Sequence, residues 1–193
     1  MKHHVIDSTS ADEQNAIDNL VVAFAMDPMT RWVWSNLSDY LAAMPDFIRA
    51  FGGKAFSLGS AHITEDRRGA ALWLPPDTHP DEEQLGAIIE KTVPQSRQLE
   101  LFKVLDLMGA FHPDEPHWYL PLIGVDPMYQ GNGHGSALLE HALRQCDKER
   151  CKAYLESSNP RNIALYQRHG FQALGEIQNG TSPTMVPMLR SPK

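Results

Sequence analysis

The chain has 193 residues, with 17 Lys and Arg against 24 Asp and Glu, which gives a formal net charge of −7. This acidic balance argues against a surface for nucleic acid or for an anionic membrane. No run of about 18 apolar residues predicts a transmembrane helix, and residues 1–7 lack the apolar segment of a signal peptide.

The N-terminal residues predict a short strand followed by a helix. Residues 5–6 have the apolar character of a strand, and Ser10 with Glu13 matches a capping box. Apolar residues then recur at helical spacing, which predicts a helix that ends near Met26.

Asp27 and the residues after it are the first candidates for contact with a substrate. Asp27 stands before Pro28, so we expect it to stop the helix, although its carboxylate also suits the anchoring of a cationic acceptor. Residues 29–34 indicate an aromatic loop with Trp32 and Trp34, which serve either as core plugs or as a wall of an acceptor pocket.

A second helix and a pair of strands follow. Ser38 is expected to cap the helix, and Pro45 predicts that it is kinked or begins nearer the proline. Residues 56–64 and 70–74 have strand character and flank a turn that ends at Gly69.

Residues 77–116 indicate a helical insertion between two strands of one sheet. Apolar residues recur at helical spacing on both sides of Pro94, which separates two helices. The insertion is too short to bury a core of its own, so we expect one domain over residues 1–193. A strand at residues 118–125 follows it.

Three glycines after that strand, Gly131, Gly133 and Gly135, open a helix that continues to about Arg150. A strand, a glycine-rich turn and a helix N-terminus together form a site for phosphate, because the first amides of a helix have no acceptor within it. Glycine permits a positive φ and leaves no Cβ in the way of an anion.

The C-terminal residues predict a hairpin at the end of the chain. A strand is expected at 152–156 and a short helix at 162–169, which Gly170 closes. Two final strands, at 171–177 and 184–189, are joined by a turn that contains Asn-Gly.

A dinucleotide is one candidate ligand for the glycine turn. Gly131 and Gly133 match the first two glycines of G-x-G-x-x-G, but Ser136 takes the third place. Glu156 lies at the distance expected of a ribose-binding acid. The predicted terminal hairpin argues against this ligand, since a doubly wound sheet needs further strand–helix units downstream.

The segment Gln130–Gly135, QGNGHG, resembles the Q/R-x-x-G-x-G/A signature of the GNAT family of N-acetyltransferases. The resemblance continues through residues 159–162, 165–166 and 169–171, and it covers residues 118–189 closely. It implies an α/β fold with a mixed, mostly antiparallel sheet, flanking helices and an insertion between strands 3 and 4. In that fold the fourth and fifth strands splay apart.

Within the family, the chain is most similar in appearance to the puromycin N-acetyltransferase group. The segments that carry this similarity are residues 69–73, 112–118, 154–158 and 160–162, together with the helical insertion. The similarity does not identify the acceptor, because neither fold nor family determines the substrate.

The resemblance implies an enzyme that transfers an acetyl group from acetyl-CoA to a primary amine of a small molecule by direct attack. The fourth strand is expected to pair with the pantetheine arm, and the amides of the glycine turn are expected to bind the pyrophosphate. The residues implied in binding acetyl-CoA are Ile123, Val125, Gln130, Gly131, Asn132, Gly133, His134, Gly135, Ser136, Asn162 and Tyr166.

The same resemblance supplies candidates for catalysis. Tyr166 matches the family tyrosine that faces the CoA sulfur, and a phenol there can protonate the departing thiolate. Tyr119 takes the place of the fourth-strand glutamate that some relatives use as a base, so Glu156 is the first candidate for that role and His117 the second. The residues expected to contact the acceptor are Asp27, Trp32, Trp34 and Tyr119.

Two other functions stay open at this point: an acyl-CoA-binding sensor with little catalysis, which the missing glutamate favours, and an NAD-binding oxidoreductase. No metal is expected, because His134 and His141 lack the spacing of a helical zinc site. Cys146 and Cys151 fit neither a metal knuckle nor a disulfide framework, which favours a reducing cytoplasm. We expect a monomer or homodimer that binds neither nucleic acid nor a membrane.

Overall fold

The computed structural model describes residues 3–193, whose strands form one seven-stranded sheet. The strands are Val5–Asp7 (β1), Ala61–Thr64 (β2), Gly69–Leu74 (β3), His117–Val125 (β4), Lys152–Ser157 (β5), Gln172–Ala173 (β6) and Val186–Arg190 (β7). Their order is β1-β2-β3-β4-β5-β7-β6, and neighbours are antiparallel except for the parallel pair β4 and β5. This mixed sheet confirms the predicted fold class and differs from the doubly wound parallel sheet of dinucleotide-binding domains.

The helices that flank the sheet include the two expected in the insertion. They are Glu13–Phe24 (α1), Pro28–Val33 (α2), Leu37–Gly52 (α3), Lys54–Ser57 (α4), Glu82–Thr92 (α5), Gln95–Phe111 (α6), His134–Lys148 (α7) and Ile163–Arg168 (α8). Between β3 and β4 the chain contributes only α5 and α6 as regular elements of its described part, as the pattern around Pro94 predicts.

Helices cover both faces of the sheet. Side chains alternate along β3, so Ala70 and Leu72 point into one apolar layer, and Ala71 and Trp73 point into the other. The first layer contains α1, α2, α3, α5 and α6, and the second contains α7 and α8. The N-terminal helices and the insertion helices therefore share one face of the sheet.

The parallel pair β4–β5 is short, and this leaves part of β4 unpaired on that side. Within the described chain, pairing joins residues 117–119 of β4 to residues 152–154 of β5 and goes no further. On its other side β4 shifts its register against β3 between Leu72 and Leu74, as at a β-bulge. Residues 120–125 of β4 therefore have one backbone edge open toward β5, which is the splay that the resemblance implies.

The start of α1 differs from the prediction. The helix begins at Glu13 after Asp12, with no side-chain cap, so the capping box at Ser10 is wrong. The Asp12 carboxylate accepts hydrogen bonds from the Thr9 amide (3.1 Å) and hydroxyl (2.8 Å), and it pairs with Arg67. These contacts, with that of Arg67 the largest, lower the pKa of Asp12 to about 2.

Residues 29–34 are mostly helical, and the predicted aromatic loop is wrong. Asp27 is the N-cap of α2, where its Oδ1 accepts hydrogen bonds from the N–H groups of Met29 (3.0 Å) and Thr30 (3.1 Å). A proline at the first helical position suits this start, because its missing N–H needs no partner there.

Two other predicted boundaries are also wrong. The N-cap of α3 is Asn36 rather than Ser38, and the helix continues through Pro45. Residues 54–57 form α4, so the strand expected at 56–64 begins only at β2.

The C-terminal hairpin is present but shorter than expected, because β6 covers only Gln172–Ala173 and a single bridge joins Ile177 to Met185. Among residues 3–193, no helix combines the length and the apolar character that crossing a membrane requires.

Candidate active site

A cavity opens between the splayed ends of β4 and β5 and extends among the helices of the first layer. Its empty volume is ≈ 1040 Å³ with its open mouth included. The predicted site residues that line it are Asp27, Trp34, Ile123, Glu156, Asn162 and Tyr166. The fold thus brings the predicted catalytic pair, Tyr166 and Glu156, to one cavity.

The glycine turn presents its backbone at the N-terminus of α7. Gly131 and Gly133 have φ values of +78° and +97°, a region that other residues adopt only at a cost. Gly133 is the N-cap of α7, so the amides of the first turn have no acceptor within the helix. A Cβ added at Gly131 has no neighbour within 4 Å, so the turn leaves room for an anion at its backbone.

Polar side chains hold the turn in shape. Gln130 Nε2 donates a hydrogen bond to the carbonyl oxygen of Val125 (3.1 Å), and Asn132 Nδ2 donates one to that of Tyr129 (3.2 Å). Because these side-chain amides bond to the backbone of the turn, they orient its N–H groups.

The side chain of His134 is occupied within the protein. It is 3 % exposed, its Nε2 lies 2.9 Å from Asp66 Oδ2, and its ring stacks on that of His3 with centroids 3.7 Å apart. The ring is therefore buried against other residues, and His134 has its backbone N–H in the first turn of α7 for contact with a phosphate.

Tyr166 is a buried phenol on α8. Its side chain packs edge-to-face on Phe171, with ring centroids 6.1 Å apart. Burial, and then the negative charge of Asp27, raises the pKa of Tyr166 well above its ordinary value. The phenol therefore stays protonated at neutral pH and can donate a proton.

The side chain of Ser136 contacts α8. Ser136 Oγ and His169 Nε2 lie 2.9 Å apart, and this contact links the start of α7 to the end of α8.

Asn162 and residues 120–123 of the open β4 edge line the same cavity. Asn162 is exposed at the N-cap position of α8, but its side chain makes no cap hydrogen bond. Its amide is therefore available to a ligand. Ile123 and Val125 lie on the segment of β4 that has no pairing with β5.

Glu156 lies on β5 just beyond the last pair with β4, and its side chain is 3 % exposed. Its carboxylate is close to the phenols of Tyr119 and Tyr154, whose rings lie 5.9 Å apart. Burial, and then the charge of Glu156, raises the pKa of both phenols. Glu156 Oε1 is buried without a hydrogen-bond partner among the described residues, so it is a candidate acceptor for a donor that enters the cavity.

Two histidines, His112 after the end of α6 and His117 at the start of β4, form a line of contacts that begins at Glu156. His112 Nε2 lies 3.4 Å from Glu156 Oε1, and His112 Nδ1 lies 3.1 Å from His117 Nε2. His117 Nδ1 lies 2.8 Å from the carbonyl oxygen of Glu115. A carbonyl only accepts, so His117 carries its proton on Nδ1 and accepts at Nε2 from His112. His112 Nε2 is then an acceptor that faces Glu156. Burial lowers the pKa of His117, which favours its neutral form.

Asp27 has a structural role and also lines the cavity. Its Oδ1 caps α2, and its Oδ2 accepts a hydrogen bond from Ser158 Oγ at 2.7 Å. Burial raises the pKa of Asp27, while the hydrogen bonds from Ser158 and from the capped amides oppose this rise. Both carboxylate oxygens are therefore used within the protein.

The other predicted acceptor residues separate into two groups. Trp34 is 3 % exposed and lines the cavity. Trp32 lies outside the lining, where the guanidinium of Arg97 stands 5.3 Å from its ring centroid. Tyr119 is also outside the lining, and it contacts the site through Glu156 and through the ring of Phe51.

Two histidine–aspartate clusters join the N-terminal strands to α7, and none of their members lines the cavity. They are His3 with Asp66 and His134, and Asp7 with His62 and His141. Asp7 Oδ1 lies 3.0 Å from His62 Nδ1 and 3.1 Å from His141 Nε2. Burial, followed by the nearby His141, lowers the pKa of His62 to about 4.

A family model described as the Acetyltransferase (GNAT) family matches residues 65–171. The matched segment runs from the turn before β3 through α8, and so contains the glycine turn and both predicted catalytic residues.

Known proteins are similar over nearly the whole chain. An uncharacterized N-acetyltransferase of Schizosaccharomyces pombe is 25% identical over 199 residues, which covers 94% of this chain and 81% of that protein. A crystal structure of histone acetyltransferase HPA2 and related acetyltransferase from Corynebacterium glutamicum has a TM-score of 0.73 at 28% identity, and covers 100% of this chain and 98% of that one. Arylalkylamine N-acetyltransferase 2 from Aedes aegypti covers 100% of both chains with a TM-score of 0.68; at 12% identity, this likeness concerns the fold alone.

Proposed function

Because the chain belongs to the GNAT family of acetyltransferases, we propose that it transfers the acetyl group of acetyl-CoA to the primary amine of a small molecule by direct attack. The observation that carries the proposal is one cavity that unites Tyr166 of α8, Glu156 of β5 and the open edge of β4. Acetyl-CoA, when bound, supplies the acetyl group as a reactive thioester. The chain has to hold this donor, stabilise developing charge and move protons.

The backbone of the chain holds the donor. The amides from Gly131 to Ser136 bind the pyrophosphate, since they lie at the start of a helix and the turn is open at Gly131. The open edge of residues 120–125 pairs with the pantetheine arm as a neighbouring strand does, and Asn162 adds a side-chain amide. A backbone N–H near Ile123 stabilises the oxygen that gains negative charge.

Tyr166 acts as the acid. As the amine nitrogen forms its bond to the acetyl carbon, the carbon–sulfur bond breaks and a thiolate departs. The phenol of Tyr166 gives this thiolate a proton and recovers one from the attacking nitrogen by way of solvent. The position of Tyr166 in the cavity lining supports this role, and its phenol is protonated at neutral pH, as a proton donor must be.

Glu156 acts as the base. An alkylammonium with a pKa of about 10 arrives protonated, so one proton must leave before attack. The free Oε1 of Glu156 accepts it, and the protonated carboxyl then faces the acceptor Nε2 of His112. From His112 the proton passes to His117 and on to solvent. Because His117 reaches Glu156 through His112, we assign this second candidate a role one step behind Glu156.

A domain that binds acyl-CoA as a sensor is the second candidate function, and the tyrosine at position 119 favours it because β4 lacks a carboxylate there. The buried Glu156 on the adjacent strand fills that role in our proposal. The puromycin-like resemblance adds no evidence on the acceptor.

The test is release of the CoA thiol from acetyl-CoA in the presence of a panel of primary amines, with mass analysis of the acetylated amine. We expect turnover of at least one small amine. Binding of acetyl-CoA without turnover of any amine, peptide amines included, favours the sensor. Stabilisation against heat by NAD but not by CoA contradicts both functions.

A further inference from the structure

Apolar side chains line the part of the cavity that lies among α3, α5 and α6. Side chains of α3, α5 and α6 form its walls, including Phe47, Phe51, Ile89, Val104, Leu105 and Met108. Among the described residues that line the cavity, Asp27 and Glu156 are the only charged ones. The cavity therefore offers negative charge beside Tyr166 and an apolar surface between the helices.

The two carboxylates are not equivalent. Both oxygens of Asp27 already accept hydrogen bonds, from the amides of α2 and from Ser158. Oε1 of Glu156 accepts no hydrogen bond in the described chain, although His112 Nε2 lies 3.4 Å from it. An ammonium group can therefore donate a hydrogen bond to Glu156, while Asp27 contributes its charge without a free oxygen.

We propose that the acceptor is a primary amine with a single apolar tail, alkyl or aryl, whose ammonium binds beside Glu156 and whose tail lies among α3, α5 and α6. This inference rests on the acetyl transfer proposed for the same site. It predicts that kcat/KM rises about fourfold for each methylene that enters the apolar part. A second charge at the end of the tail has no partner there, and its desolvation opposes binding.

The test on the wild-type chain is a series of butylamine, hexylamine and octylamine, with hexamethylenediamine as the charged match to hexylamine. Release of the CoA thiol gives kcat/KM for each. We expect the alkyl series to rise, and hexylamine to exceed the diamine by about 100-fold or more. A flat series, or a diamine that matches hexylamine, overturns the inference.

Two substitutions at neighbouring positions of α6 test whether the preference for an apolar tail arises in the cavity. Met108 lines it, whereas Leu107 does not and is 37% exposed. We expect Met108→Asp to lower kcat/KM for hexylamine and to raise it for the diamine, with Leu107→Asp changing neither. Equal effects of the two substitutions contradict the inference. If Met108→Asp fails to fold, the alkyl series on the wild type still decides.

Failure of the inference and failure of the proposed function are distinguishable. Turnover of diamines or sugar amines in preference to alkylamines overturns the apolar acceptor and leaves acetyl transfer in place. Thermal stabilisation of the CoA-bound protein by hexylamine, with no turnover of any amine, contradicts the transfer and supports the apolar site.

Discussion

The proposed donor region (residues 120–139 and 159–171) and the proposed acceptor region (α2, α3, α5 and α6) meet at one cavity but are built differently. The donor region uses backbone groups, positioned by glycines, a helix N-terminus and an open strand edge. The proposed acceptor region uses side chains from four helices that all contribute to the core of the first layer. A backbone site leaves local marks in the sequence, whereas a side-chain site becomes visible only when the helices are assembled.

The largest expected effect concerns the point where both regions meet. Tyr166→Phe is expected to lower kcat by about 100-fold or more, because the departing thiolate loses its proton donor. The affinity for acetyl-CoA should stay nearly unchanged, since backbone groups hold the donor. Tyr40→Phe is the matched control, because Tyr40 is a fully buried phenol outside the cavity lining. An unchanged kcat for Tyr166→Phe removes this residue from the mechanism.

The next largest effect tests whether the donor site is a backbone site. Valine at Gly133 strains the φ of +97° by about 1–3 kcal/mol and alters the first amides of α7, so Gly133→Val should raise KM for acetyl-CoA about tenfold or more. Gly59→Val carries a similar strain at φ +68°, in a turn before β2. The control should lose stability and keep its KM. Equal changes in KM mean that the glycine turn acts through folding alone.

The contrast between a backbone site and a side-chain site also decides which residues the sequence could predict. The glycine turn was predicted from its own residues, and Asn162 and Tyr166 were predicted from the family resemblance of the segment that contains them. Glu156 was a candidate on its strand position, but its contact with His112 depends on where α6 ends, which no spacing encodes. The sequence did not distinguish Trp32 from Trp34 in the predicted loop. In the structure Trp32 lies in α2 and Trp34 is its C-cap, and of the two only Trp34 lines the cavity.

A smaller effect tests the histidine route on the acceptor side. We expect His112→Ala to lower kcat about tenfold, with KM for acetyl-CoA unchanged, because proton removal from Glu156 slows. Added imidazole should restore part of the lost turnover, which no purely structural defect predicts. His141→Ala is the control, as His141 lies outside the cavity lining. Loss of activity without rescue by imidazole contradicts the route.

The last prediction concerns stability rather than turnover, at the histidine cluster that joins β1 and β2 to α7. His62 contacts Asp7 of β1 and His141 of α7, and its pKa falls to about 4 in the folded state. The unfolded state then binds more protons between the two pKa values, so stability falls as the pH drops from 7 to 4, by up to about 3 kcal/mol. Urea unfolding at several pH values measures this loss. His62→Gln should flatten the dependence, and an unaltered slope contradicts the assignment.

The most direct test of the central claim, that Glu156 and Tyr166 act together in the opening between β4 and β5, is the pH dependence of kcat for the wild type and for Glu156→Gln. The wild type should lose activity on the acid side, where the base becomes protonated. We predict that Glu156→Gln lowers kcat by about 100-fold and abolishes this acid limb, with acetyl-CoA still bound. A Glu156→Gln variant with the same limb and the same kcat contradicts the account.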